Sequence, residues 1–324
     1  MSKELQDKLI SQVKILNETI WEGKANEQSI KRWLSNFGDS PIDESEEKLC
    51  ALYLLSRFTY LGSREIKESL RSLYRDLVVY PIISSLRRSL NNTSDLNVLS
   101  QRLQDELNAI KFLGAGNPSE SGAHLLYYFR QENRLDKKAF VHALEAFKLL
   151  EKSNSATVPN GKETNSVNRF VFIDDFCGTG TQAVRYAGNV VSELRTRSPD
   201  CLIEYYVLAG TSTGLDYVRE NAGFNRVDCV IELDSSFKCF ESDSRYFDNN
   251  DEKGRLKSKE LCSNFGSIIN PRHPLGHENS QLLVAFSHNT PNNTLPIFWA
   301  ENDNNKWNAI FRRYPKSLAP NLDI

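Results

Sequence analysis

Two adjacent acids followed by a glycine- and threonine-rich turn form the part of this sequence best suited to chemistry: Val171-Phe172-Ile173-Asp174-Asp175-Phe176-Cys177-Gly178-Thr179-Gly180-Thr181-Gln182. The apolar run has a β-branched centre, as a buried strand does, and it delivers both carboxylates at its end. Paired carboxylates suit the hydroxyls of a sugar, or a magnesium ion bridging to one. Gly178 and Gly180 let backbone approach a ligand closely. Thr179 and Thr181 add hydroxyls, and the amides from Cys177 to Gln182 lead into a helix start, where an anionic group such as a phosphate is favoured. The competing structural reading has one acid capping the following helix. Two acids at a buried strand end repel each other, however, and cost stability without a ligand.

A second candidate anion site is the turn Ser119-Glu120-Ser121-Gly122, which precedes a helical pattern containing Leu125, Leu126, Tyr128 and Phe129. An ordinary helix-start turn would read the same way. A third candidate is His288-Asn289-Thr290-Pro291-Asn292-Asn293-Thr294-Leu295-Pro296, whose side chains could read a nucleobase or could build a rigid Asx-turn cluster. His288 could be an acid–base group, although a lone histidine of this kind is more often structural.

Positioning these groups requires a scaffold that alternates strand and helix. Strands are expected at 170–173, 203–209, 227–233 and 282–286, with helices at 182–194 and 215–221 between them. The expected fold class is therefore α/β, with a doubly wound parallel sheet whose ligand lies beyond the carboxyl ends of its strands. Residues 241–280 read as an irregular, charged insertion and 153–168 as a mobile loop. The first third is helical. Leu5, Leu9, Val13, Leu16 and Ile20 share one face, and Ile30, Trp33, Leu34 and Phe37 repeat the pattern. Asp43 and Glu46 form a capping box for a helix through Leu49, Leu52, Leu55 and Phe58, with Gly62 as its C-terminal cap. Another helix starts near Ser63 and stops before Pro81, and a further one covers 96–110. The expected division is a helical domain for regulation or assembly at 1–111, for which a winged helix is one form, and the site-bearing domain at 112–324.

Composition narrows the function classes. The 324 residues carry 40 Lys+Arg against 42 Asp+Glu, a net charge of -2, which excludes a globally basic polyanion binder. None of the 6 Cys forms a C-x-x-C pair, so the expectation is reduced thiols in a cytoplasmic protein. No apolar run reaches the ~18 residues of a membrane helix, and the charged start (Lys3, Glu4, Asp7, Lys8) is unlike a signal peptide. Neither G-x-S-x-G nor the lysine-bearing P-loop pattern is present.

Two family resemblances attach to the acidic segment. Phe176 to Thr181 looks like the D-P-F-C-G-S-G-T motif of methylases that bind S-adenosylmethionine. Asp175 stands in place of its proline, and the next strand ends Val207-Leu208-Ala209-Gly210-Thr211 without the ribose-holding acid. The run V-F-I-D-D-F-C-G-T-G-T resembles the phosphoribosyl-pyrophosphate signature of type I phosphoribosyltransferases. That resemblance implies that Asp174 and Asp175 contact ribose hydroxyls and, indirectly, magnesium. It also implies that Cys177, Gly178, Thr179, Gly180, Thr181 and Gln182 hold the 5′-phosphate, and that Ser119, Glu120, Ser121 and Gly122 hold the pyrophosphate. The sequence departs from the signature at Gly178 and at Thr181-Gln182. Taken with the loop at 119–122, Tyr128-Phe129-Arg130, Lys31-Arg32-Trp33-Leu34 and the segment at 288–299, the chain resembles a bacterial phosphoribosyltransferase-like family of conflict and phage-defence loci, including retrons. This wider resemblance implies a phosphoribosyl or nucleotide ligand and magnesium. Its implied partners are a reverse transcriptase–RNA complex, another defence-system protein or a second copy of the chain. Transfer or hydrolysis of a ribosyl group, or a sensor without catalysis, would each use the site, with His288, Asn289, Asn292 and Asn293 as base-recognition residues.

Overall fold

The computed structural model describes residues 2–38, 44–116, 121–155, 167–301 and 307–314. Helices α1 (Ser2–Thr19), α2 (Glu27–Leu34) and α3 (Glu44–Ser56) lead into strand β1 (Thr59–Leu61). Next come α4 (Ser63–Ser72), a π-helical stretch Leu73–Val79, α5 (Tyr80–Ser89), α6 (Leu96–Asn108), β2 (Ile110–Gly114), α7 (Ser121–Glu132) and α8 (Ala143–Ser155). Then β3 (Arg169–Cys177), α9 (Thr181–Arg197), β4 (Leu202–Thr211), α10 (Ser212–Asn221) and β5 (Arg226–Leu233) alternate. The last described elements are α11 (Glu252–Ile269), β6 (Val284–Phe286) and α12 (Pro296–Trp299). The chain divides into two compact units, one of Met1–Glu65 with Asp234–Ile324 and the other of Ile66–Leu233.

The unit of residues 66–233 is built on a parallel sheet in the order β2-β3-β4-β5. Strand period sorts its two faces. Phe170 and Phe172 of β3, with Ile203, Tyr205 and Val207 of β4, pack into one core with Ala146 and Leu150 of α8, Ala187, Val191 and Leu194 of α9, and Leu215 and Val218 of α10. On the opposite face Phe112 of β2 meets Phe129 of α7 at 5.1 Å and Tyr74 of the π-helical stretch at 6.2 Å. Burial on both faces explains why β3 reads as an unbroken apolar run. The expected α/β class is observed. Strand order follows the chain, so the reversal that defines double winding is not among the described strands.

Pro81 does not end the helix that begins at Ser63. Backbone angles stay helical through Ser72 and Tyr80, because the π-helical stretch makes room: the Tyr80 amide donates to Arg75 O, five residues back. Pro81 has no N–H with which to satisfy the carbonyl four residues earlier. That carbonyl, Leu77 O, accepts instead from Arg226 Nη1 at 3.3 Å. Arg226 also lies over the Tyr206 ring at 5.5 Å and pairs with Asp228 at 2.9 Å. Arg226→Met is expected to cost about 1–2 kcal/mol, the combined worth of the carbonyl hydrogen bond and the cation–π contact, measured as a lower urea midpoint.

In the other unit, β1 pairs in parallel with β6 in register Thr59↔Val284, Tyr60↔Ala285 and Leu61↔Phe286. Its aromatic core stacks Trp33 on Phe298 (5.3 Å) and Phe58 on Phe311 (4.4 Å). The Trp33 and Trp307 indoles both donate to Ile297 O, at 2.8 and 3.1 Å.

Several expectations need correction. The boundary placed between 111 and 112 falls inside β2, and the chain's opening helices share a unit with its last ninety or so residues because β1 pairs with β6. The strand expected at 282–286 is β6, in this separate sheet rather than beside β3. Gly62 follows β1 and caps no helix, since α3 ends at Ser56 with tightened bonds from the Arg57 and Phe58 amides to Leu54 O and Leu55 O. The stretch 241–280 holds an 18-residue helix, α11, whose buried positions 258, 261, 262, 265, 266 and 269 form a helical stripe. Ser258, Cys262 and Gly266 stand in that stripe where apolar residues would have revealed it. Asp43 of the capping box, and residues 156–166 of the loop expected at 153–168, lie outside the described residues. Among the described residues no helix is long and apolar enough to cross a membrane.

Candidate active site

Asp174 and Asp175 sit near the carboxyl end of β3, which is flanked by β2 and β4. Asp174 pairs in register with Val207. Its Oδ1 accepts from the Asp175 amide at 3.0 Å, and its Oδ2 accepts from the Tyr205 hydroxyl at 3.3 Å. Burial pushes the Asp174 carboxyl well above the usual aspartate range, and the neighbouring charge of Asp175 pushes it further. Tyr205 is itself buried, stacked on Phe224 at 5.3 Å, so it is a fixed donor. Cys177 points into the core, where burial raises its thiol to about 12. The backbone, rather than the sulfur, is what this residue can offer an anion.

The bend after β3 is shaped from its surroundings. Gly180 adopts φ +76 as the N-cap of α9 and provides no side-chain cap, so the first turn of a 17-residue helix has no side-chain oxygen of its own cap residue over its amides. The Thr179 and Thr181 hydroxyls are 3.1 Å apart. Thr211, the N-cap of α10, uses one hydroxyl twice: it donates to Gly178 O at 2.5 Å and accepts from the Gly214 amide at 3.0 Å. A Cβ on Gly214 would stand 2.0 Å from Gly178 O, and one on Gly180 would stand 2.6 Å from Gly214 O. The start of α10 is therefore pressed against the bend. Thr211→Val, which keeps the shape and removes both bonds, is expected to cost about 1–3 kcal/mol, read by thermal melting.

The start of α7 reaches the same sheet end. Gly122, in the first turn of α7, is buried so closely that a Cβ would meet Ala115 O at 2.5 Å and Ile173 O at 3.2 Å. Ile173 is the residue before Asp174, so the N-terminus of α7 is seated beside the acids. Ser121 opens α7, while Ser119 and Glu120 lie outside the described residues.

The model of the PRTase-CE family matches residues 30–313. The chain belongs to the PRTase-CE family, which is phosphoribosyltransferase-like. No curated protein matches it. The PRTase-CE match takes in the acidic segment and also the asparagine-rich segment after β6. In this PRTase-CE chain those two segments belong to different compact units. Asn293 is buried and donates from Nδ2 to Ser280 Oγ at 2.8 Å. Asn289 Oδ1 accepts from the Thr290 and Tyr314 amides at 2.9 and 3.1 Å, and Asn292 O accepts from the His277 amide at 2.8 Å. These bonds tie the segment to its own surroundings. His288 lies beside Phe286, with ring centroids 5.5 Å apart.

Sequence reasoning passed over Tyr205, Thr211 and Gly214. The pattern Thr211-Ser212-Thr213-Gly214 before a helix is an N-cap signal, but only pairing of β3 with β4 shows that it grips the bend. Among the described residues no group of three or more His, Cys, Asp or Glu side chains could by itself hold a metal ion. Two hard carboxylates suit magnesium when substrate oxygens complete its shell, and a cation would also offset the charge that burial makes costly at Asp174.

Proposed function

We propose that this chain binds a phosphoribosyl pyrophosphate-type ligand with magnesium and transfers or hydrolyses its ribosyl group. The observation that carries the reading is the placing of Asp174 and Asp175 immediately before a glycine bend that opens the N-terminus of α9, in a chain of the PRTase-CE family. Asp174 and Asp175 would accept hydrogen bonds from the ribose hydroxyls. Amides at 178–182, with the Thr179 and Thr181 hydroxyls, would hold the 5′-phosphate. The turn into α7 would face the pyrophosphate. In the reaction the bond from the anomeric carbon to pyrophosphate oxygen breaks and its electron pair leaves with pyrophosphate. The acceptor, or water, forms the new bond and releases a proton. Fixed donors favour the departing charge, and a rigid sugar seat lowers the entropic barrier. Magnesium, when bound, would supply further neutralisation of the pyrophosphate, and Asp174 and Asp175 are the residues that would hold it, indirectly through the ribose hydroxyls.

The test is pyrophosphate release from phosphoribosyl pyrophosphate in the presence of magnesium, across purine, pyrimidine and water acceptors. Chelation with EDTA is expected to abolish release and magnesium to restore it. Release unaffected by EDTA would remove magnesium from the reading.

The departures at Gly178 and Thr181-Gln182 favour a second reading, a sensor that binds the same ligand without turnover. Saturable binding with no product from any acceptor would select it. The methylase reading is disfavoured because Thr211, rather than an acid, ends β4 and caps α10. We further propose a cytoplasmic role as a phage-defence effector working with a reverse transcriptase–RNA complex, another defence-system protein or a second copy of itself. The support for that role is the family resemblance. Growth arrest on expression, relieved by Asp174→Asn with Asp175→Asn, is the expected sign of a toxic effector.

A further inference from the structure

The unit formed by residues 1–65 and 234–324 contains a cavity of about 320 Å³ at the carboxyl ends of β1 and β6. All of its lining residues belong to that unit. Its charge is unbalanced. Lys24, Arg32 and Arg312 stand against a single carboxylate, Glu301, which Arg312 already holds at 2.6 Å. Lys24 and Arg32 are exposed and have no ion-pair partner among the described residues. Two uncompensated cations around one cavity, in a chain of net charge -2, are an electrostatic preference for an anion. The walls are aromatic as well: Tyr60, Phe286, Trp307 and Phe311 line the cavity and are themselves buried. The Tyr60 ring lines the cavity, while its hydroxyl is buried away from it, near the carboxylates of Glu22 and Glu65.

From these features we infer that this cavity is a binding site for a small organic anion carrying a planar ring, of the size and chemistry of a nucleoside 5′-monophosphate. The ring would lie against the aromatic walls and the phosphate toward Lys24 and Arg32. Ligand pockets run from about 300 to 1,000 Å³, so a cavity at the lower limit fits one ring and one phosphate rather than a dinucleotide. His288, on the same wall, would be placed to hydrogen-bond the ligand. This inference is independent of the reading of Asp174 and Asp175.

Isothermal titration of the full chain with adenosine, guanosine, cytidine and uridine 5′-monophosphates tests it, with the corresponding nucleosides and inorganic phosphate as controls. At least one monophosphate should bind saturably and more tightly than either its nucleoside or inorganic phosphate. Lys24→Ala with Arg32→Ala, both at exposed positions, should weaken that binding about tenfold or more, since charge-assisted hydrogen bonds to the phosphate are lost. The Asp174→Asn, Asp175→Asn chain should keep it, which separates this cavity from the phosphoribosyl site. The inference is overturned if no monophosphate binds, or if inorganic phosphate or a nucleoside binds equally well. It is also overturned if the Lys24/Arg32 variant binds undiminished, or if the aspartate variant alone loses binding.

Discussion

Asp174→Asn combined with Asp175→Asn should give a chain that folds, melts at a higher temperature without ligand, and no longer holds phosphoribosyl pyrophosphate. The stability part follows from proton linkage. The folded chain keeps the Asp174 proton to a higher pH than the unfolded chain, because burial and the Asp175 charge disfavour the carboxylate. Between the ordinary aspartate range and that raised value the folded state binds more protons, so stability falls as pH rises across this window. At neutral pH the parent therefore carries a penalty that the asparagines remove, a gain of about 0.5–2 kcal/mol, as is common when a functional site is neutralised. The binding part runs the other way. Each ribose hydroxyl donating to a carboxylate contributes about 1.5–3 kcal/mol, so losing two should weaken binding by about a hundred- to ten-thousand-fold. Titration calorimetry and thermal melting on the same samples read both. A variant that binds like the parent would show that the acids do not seat the sugar, and one that melts lower would show that they support the fold. The single Asp174→Asn variant should account for most of the change in the pH dependence of stability, because Asp174 is the carboxyl that burial holds protonated to a higher pH.

The second large effect is expected from the smallest substitution. Gly214→Ala adds one methyl group where the nearest atom, Gly178 O, stands 2.0 Å away. That atom is backbone and is held by Thr211, so no side chain can swing aside. Either α10 backs away from the sheet or the bend at 178–180 moves. Strain of this kind costs about 1–3 kcal/mol when the backbone must store it, and the bend's shift should remove most of the affinity for phosphoribosyl pyrophosphate. Gly188→Ala is the matched control, since no atom lies within 4 Å of its added Cβ. It should leave binding intact and slightly raise stability, because alanine is the better helix former. Comparable loss in both variants would mean that the effect lies in helix content and that the contact between Gly214 and Gly178 O is unimportant.

What the sequence determined by itself is the chemistry that fits within a dozen consecutive residues. Strand, acids, glycine bend and helix start lie between 171 and 182, and their local geometry follows from strand period, glycine freedom and the absence of a side-chain cap at Gly180. The α/β character was equally legible, because β3 and β4 are buried on both faces and cannot hide among polar residues. Tertiary structure decided whatever depends on partners distant in the chain. Tyr205 reaches Asp174 and Thr211 reaches Gly178 O only because β4 lies beside β3. By local pattern the first helices make a domain of their own, yet β1 pairs with β6 more than two hundred residues later, and no local pattern specifies that pairing. Pro81 stops a helix by local rules, and only Arg226, folded against Leu77 O, together with the π-helical stretch lets the helix pass. In α11 the buried stripe uses serine, cysteine and glycine, small residues admitted by close packing; Gly266, for example, lies against Pro274 O, where a Cβ would come within 2.0 Å. Hydrophobic period cannot register a face chosen for its small size, so that helix became visible only once its neighbours were in place.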